Sequence, residues 1–319
     1  KLWSKEGKLL KTFKHADIVT SVSFSLDGKT IATGSADRTI RIWQVDNDES
    51  AIVTLSGHAE SVTSVSFSPD GKTLASASHD NTVKIWNLTS KKLLQTLTGH
   101  KDWVLGLSFS PDGKTIASAS ADKTIKLWNR EGKTQKFAIN PKTLTKHSDI
   151  VYSVKFSPNG EQIVSASADT TAQIWNRNGK EIKTLKGHND QVISASFSRD
   201  GAKIVTGSAD DTVKVWSPSG TLLSTFRGHQ DDVRAVNFSP DGTIVSASKD
   251  KMVKLWQPES TPLNKILSGH GDWVYKVSFS ADGKTIASAS GDKTVKLWRT
   301  DGSLFKTLIG HKEAVTWVS

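Results

Sequence analysis

The chain contains no cysteine, a single methionine and only two tyrosines in 319 residues. Without cysteine there is no disulfide framework, no thiolate metal site and no cysteine nucleophile, and the composition fits a reducing, cytoplasmic setting. No apolar run approaches the ~18 residues needed to cross a bilayer as a helix, so no membrane span is expected. A secretory leader is missing as well, and the sequence starts at Lys1 rather than methionine. It therefore reads as an excerpt from a longer chain, with further domains expected outside it. No block of five or six like charges occurs, although the formal net charge is +10. The lysines are spread evenly, as in the GKT triplets at 28–30, 71–73, 113–115 and 283–285, a pattern that serves solubility first. Nucleic-acid binding through this basic surface is the alternative it leaves open.

What the chain does have is repetition. A histidine recurs at His15, His58, His100, His147, His188, His229, His270 and His311, and a tryptophan at Trp3, Trp43, Trp86, Trp128, Trp175, Trp216, Trp256 and Trp298. Four successive histidine spacings from His147 onward are 41 residues. In the unit GHKDWVLGLSFSPDGKTIASASADKTIKLW, residues 99–128, apolar residues alternate in WVLGLSF, TIASAS and TIKLW. That is the period of half-buried strands, and SPDGK and ADK between them are turns. A more variable fourth strand follows the tryptophan. Such a unit cannot cover its own apolar faces and must stack on its neighbours.

Gly-His, four strands and tryptophan at this period resemble the WD-repeat β-propeller family, and in particular bacterial WD-repeat arrays. The resemblance spans essentially the whole chain. Two departures stand out: no aspartate follows the tryptophan, and lysine replaces glycine before His15 and His147. The implied fold is all-β, a seven-bladed β-propeller of four-stranded antiparallel blades, forming a single domain over 1–319. The units run approximately 15–57, 58–99, 100–146, 147–187, 188–228, 229–269 and 270–310. Residues 1–14 and 311–319 are partial repeats. They lack a second strand, which disfavours an eighth blade, since the first strand would have no partner. KLLKTF near the N-terminus competes with LFKTL at 304–308 to close the last blade.

Each unit offers a serine, a histidine and an aspartate, for example Ser120, His100 and Asp122, which together look like a hydrolase triad. The set recurs in every unit, always with a tryptophan such as Trp128. Catalytic constellations are not repeated blade by blade. In the family these residues form a hydrogen-bonded chain tying the strands of a blade together, so they are read as structural. The histidines lack metal-ligand spacing. The GKT triplets lack the upstream glycine of a phosphate loop. No catalytic residue, metal site or cofactor site is expected, and a propeller hydrolase is the least favoured reading.

Function is sought where the units differ. In the family, the third and fifth residues after the histidine and the residue before the turn aspartate line the top face, where partners bind. Both tyrosines and two of the three non-blade tryptophans fall there. Trp103, Leu105, Ile150 and Tyr152 form one expected patch in blades three and four. Arg234, Lys249, Trp273 and Tyr275 form a second in blades six and seven, suited to a partner with an acidic residue beside an apolar anchor. The expectation is a non-enzymatic scaffold or sensing module that binds a protein or peptide. By resemblance to the bacterial arrays, it belongs to a larger signalling protein.

Overall fold

Alternation becomes register most plainly in blade three. Its strands Val104–Phe109, Thr115–Ser120, Ile125–Asn129 and Lys142–Leu144 pair antiparallel in sequence order. Ile116 lies opposite Trp128, Ala117 opposite Leu127 and Ser118 opposite Lys126. Thr115–Ser120 is buried along its whole length. That is possible because alanine and serine alternate there, small enough for sheets to pack on both faces. The computed structural model describes residues 1–4, 6–45, 52–130, 136–258 and 265–319. Seven four-stranded sheets of this form make up an all-β, seven-bladed propeller, as the spacing predicts. Among the described residues no helix is long and apolar enough to cross a membrane.

Packing divides the chain into two compact units: Lys1–Leu2 with Lys11–Ile163 and Arg177–Gly179, and Trp3–Leu10 with Val164–Asn176 and Lys180–Ser319. The same core recurs within each. Val104, Leu107 and Trp128 of blade three pack on Ala77, Val83, Ile85 and Leu97 of blade two. Val274, Val277 and Trp298 of blade seven pack on Ala247, Val253, Leu255 and Leu267 of blade six.

The turn between second and third strands places a non-glycine residue in the left-handed region: Arg38, Asn81, Lys123, Thr170, Asp211, Lys251 and Lys293, with φ between 64° and 72°. Asparagine tolerates that region, whereas a β-branched side chain crowds the following carbonyl. Thr170, at φ 69°, is the strained member of the set. Thr170→Asn is expected to stabilise the fold by roughly 1 kcal/mol, read as a higher thermal midpoint; a lower midpoint would refute it.

The chain ends depart from the sequence expectation. Leu304–Leu308 is the fourth strand of blade seven, and the N-terminal strands Leu2–Trp3 and Leu9–Lys11 form a separate two-stranded sheet. Residues 1–14 are therefore not the closing strand, because LFKTL follows Val295–Arg299 through a short turn and pairs with it first. Residues 311–319 form no strand, although Val315 N donates to Ser290 O at 2.9 Å. Trp3, Val315 and Val318 nevertheless pack on Ala289, Val295, Leu297 and Leu308. These are the repeat positions by which blade three packs on blade two. At Gly7, φ 77°, a Cβ would lie 2.6 Å from the Lys306 side chain, so only glycine lets this hairpin rest on the outer strand of blade seven.

Candidate functional site

The repeated polar set is a buried chain of hydrogen bonds. In blade three the Trp128 Nε1–H donates to Ser118 Oγ at 2.9 Å. Ser118 Oγ lies 2.8 Å from His100 Nε2, and His100 Nδ1 lies 2.8 Å from Asp122 Oδ2. A carboxylate beside Nδ1 requires the proton there, so Nε2 accepts from the Ser118 hydroxyl. This corrects the sequence assignment, which placed Ser120 in the chain. Ser118 and Ser120 face the same way on the strand, and the indole leans toward the former. Ser120 instead donates to Asp102 O at 3.0 Å and accepts from Asp122 N at 3.0 Å, fixing the turn. His100, Asp122 and Trp128 take the expected places. Blades one, two, five, six and seven repeat the chain through Thr33, Ser76, Thr206, Ser246 and Ser288.

Its connectivity is that of a Ser-His-Asp triad, but Ser118 is fully buried and also accepts an indole N–H. An oxygen so enclosed cannot reach a substrate carbonyl. Burial pushes the His100 pKa below its ordinary value, against the opposing pull of Asp122. Burial alone would raise Asp122. Hydrogen bonds from His100, Thr124 and the Lys101 backbone reverse that and hold its carboxyl far below the usual range.

The variable slots are brought together in pairs. The third residue after the histidine and the residue before the turn aspartate are hydrogen-bonded across strands: Ala121 N to Trp103 O at 2.8 Å, Lys249 N to Asp232 O at 3.0 Å, Gly291 N to Trp273 O at 2.9 Å. The fifth residue after the histidine is the extra residue of a β-bulge. Register shifts between Val104 and Gly106, between Val233 and Ala235, and between Val274 and Lys276, leaving Leu105, Arg234 and Tyr275 outside the ladder. A bulge re-aims its side chain, which frees this slot to vary. Thr20 and Thr63 use it for scaffolding instead, donating to Val62 O and Val104 O of the next blade.

Trp103 is 51% exposed and Trp273 42% exposed, whereas the described blade tryptophans from Trp43 to Trp298 are buried. Trp103 stacks on His79 of blade two, centroids 4.3 Å apart, a partner missing from the patch read from sequence. Leu105, Ile150 and Tyr152 are half-buried beside it in the repeat order. Gly106 lets the two first strands approach, since a Cβ there would meet Tyr152 O at 3.2 Å.

In the second patch Lys249 Nζ lies 4.8 Å from the Trp273 ring centroid, and Tyr275 meets the same ring edge-on at 6.2 Å. Asp232 holds both cations, at 2.6 Å from Lys249 Nζ and 3.8 Å from Arg234. The basic pair that the sequence reading offers to an acidic partner group thus shares one internal carboxylate. Asp211 and Asp231 stand near Asp232, their carboxylate oxygens within 4.8 Å of one another. Burial, then the charges of Asp231 and Asp232, raise the Asp211 pKa. This edge is acidic, contrary to the basic balance of the whole chain.

A 50-residue stretch is 46% identical to a coronin-like protein of Saccharomyces cerevisiae, covering 15% of this chain and 8% of that protein. The match thus spans a small fraction of the relative's length. The family model for the WD domain, G-beta repeat, matches seven times, at residues 7–44, 49–87, 91–129, 140–176, 179–217, 220–257 and 261–299. With repeated buried Trp-Ser/Thr-His-Asp chains and seven four-stranded blades beneath those matches, the chain belongs to the WD-domain, G-beta-repeat family.

Proposed function

We propose that the chain is a non-catalytic platform that binds a protein or peptide through the variable slots of its blades. The observation that carries this reading is the exposure of Trp103 and Trp273, each held in place by a neighbour, His79 or Lys249. Tryptophan, tyrosine and arginine dominate interface energetics, and an immobilised ring loses little freedom on binding. The patch of Trp103, Leu105, Ile150 and Tyr152 suits an apolar segment. The patch of Trp273, Tyr275, Arg234 and Lys249 reads a ring or aliphatic side chain first. An acidic group on the partner must displace Asp232 from its two cations. We place the platform in a larger cytoplasmic signalling protein, on the resemblance of its units to bacterial arrays.

The test is crosslinking and pull-down with Trp273→Ala/Tyr275→Ala, alongside circular dichroism to verify folding. Partner recovery is expected to fall at least tenfold, since two aromatic anchors at 2 kcal/mol or more each leave an interface together; unchanged recovery would sink the reading for this patch. Nucleic-acid binding through the net charge of +10 is distinguished by salt. A phosphate-driven complex weakens steeply between low and physiological salt, and an aromatic-driven one does not.

A further inference from the structure

Between blades one and two lies an apolar groove of about 500 Å³, floored by Ile42, Leu55 and Phe67 and walled by Ile52, Val53 and Leu88. The next groove round, between blades two and three, is built from the equivalent positions Ile85, Leu97, Phe109 and Leu94, but it is filled. Phe137 packs there fully buried, 6.3 Å from the Phe109 ring. Its backbone is clamped at both ends by one side chain: Phe137 N donates to Gln95 Oε1 at 2.7 Å, and Gln95 Nε2 to Phe137 O at 2.6 Å. Arg130 covers the Phe137 ring at 5.4 Å and reaches Asp70, the turn aspartate of blade two, at 3.5 Å. Blade four repeats the charge contact, with Arg177 3.2 Å from Asp112 of blade three.

Blade two departs from blades three and four, the two blades that carry an arginine at this position. Leu88 occupies the arginine position, shown by the shared backbone bond: Leu88 N to Lys72 O, like Arg130 N to Lys114 O and Arg177 N to Glu161 O. Among the described residues Asp27, the turn aspartate that such an arginine would meet, accepts from Ser25 Oγ and Lys29 N, both on Oδ1. The turns have also lost contact. A Cβ at Gly113 or Gly160 would touch Pro69 or Pro111 of the preceding blade, whereas one at Gly71 would meet nothing within 4 Å. Leu26, 86% exposed, replaces the proline there. The groove is thus open, apolar within and edged by Asp27 and Lys91, with no arginine on Asp27 among the described residues.

We propose that this groove binds a peptide segment of a partner protein that presents a phenylalanine next to an arginine, the pair the chain itself places in the neighbouring groove. The ring would lie on Phe67 and Leu55, and the guanidinium would meet Asp27 and cover the ring. Complementarity of charge at one end of the cleft selects this occupant. Asp27 stands where the turn aspartates of blades two and three meet arginine, and a carboxylate there favours arginine's planar fork. Asp70 is held by Arg130, and Lys91 lines the groove as well.

The experiment uses the full chain and a fluorescein-labelled peptide of the sequence NREGKTQKFAI, that of residues 129–139, which carries both groups at a working spacing. Fluorescence polarisation should show saturable binding, weakened at least tenfold when alanine replaces the peptide's phenylalanine. Asp27→Asn should weaken it about tenfold, the worth of one charge-assisted contact. Leu88→Arg should abolish it, because the introduced guanidinium answers Asp27 and fills the cleft. Thermal melts check that each variant folds; if Leu88→Arg does not, Asp27→Asn decides alone. No binding, or binding indifferent to Asp27→Asn, overturns the proposal. Sedimentation adds one more outcome: self-association abolished by Asp27→Asn would make a second copy the occupant and overturn the foreign partner.

Discussion

Trp298→Ala is expected to lower the unfolding free energy by about 3–5 kcal/mol, the range for deleting a large buried aromatic. Trp298 is 1% exposed and packs on blade six, so its removal opens a void between two blades. Its Nε1–H donates to Ser288 Oγ at 2.8 Å, its ring meets His270 edge-on at 6.1 Å, and a Cβ on Gly269 would lie 3.4 Å from its far edge. Small-residue neighbours such as Ala247 are too short to collapse into the space. The denaturation midpoint measures the loss, and an unaltered midpoint would refute it. Trp273→Ala is the control in the same blade. It removes an exposed ring and its contacts with Lys249 and Tyr275, and should cost about 1 kcal/mol. One tryptophan is scaffold and the other is surface, and stability separates them.

Acid should weaken the fold in two stages. Burial, partly offset by the paired aspartates, lowers the pKa of His15, His58, His100, His229 and His270 below the ordinary 6.5. A histidine with a depressed folded-state pKa gives its full contribution above the unfolded value. Below that value the unfolded chain takes up protons that the folded chain refuses, so stability falls as pH drops through 6.5. The paired aspartates move the same way. Burial opposes them, but hydrogen bonds from histidine, threonine and backbone win. Asp80, Asp122, Asp210 and Asp250 sit below 3.8, and Asp292 is lowered to about 2. Their share of stability is intact above 3.8 and is lost beneath it. The thermal midpoint should therefore be level above pH 7, decline from about pH 6.5, and drop more steeply below about pH 4. A midpoint constant from pH 7 to pH 4 would contradict the buried neutral histidines.

Much of the architecture was legible because each blade restates the same constraints. The histidine and tryptophan spacing, the alternation in WVLGLSF and the turns predict seven four-stranded sheets, and the structure has them. Within the blade, sequence failed where two candidates share a face. Ser118 and Ser120 are equivalent by period, and only the lean of the Trp128 indole selects the former. The slots were legible as variable, but not why the fifth residue is free. The bulge at Leu105, Arg234 and Tyr275 is a property of two strands whose registers disagree, which neither strand states alone. Asp232 was visible as a residue and invisible as a counter-ion, because its capture of Lys249 depends on a cross-strand neighbour. His79 on Trp103 joins adjacent blades, a distance that pattern within one unit does not measure. Leu26 and Leu88 could be seen as departures from the repeat. Their meaning came only from Phe137 filling the equivalent space next door.

The packing of Trp3 with Val315 and Val318 on blade seven sets that cluster apart in time as well as in space. Contacts between consecutive blades close loops of about 40 residues, and this one closes a loop of about 300, which adds roughly 2 kcal/mol of chain entropy. Every other core can assemble as its own stretch of chain folds. The cluster under Trp3 must wait for nearly the entire polypeptide. It is expected to be the last cluster to form, because the entropy of closing so long a loop must be met before its contacts are rewarded.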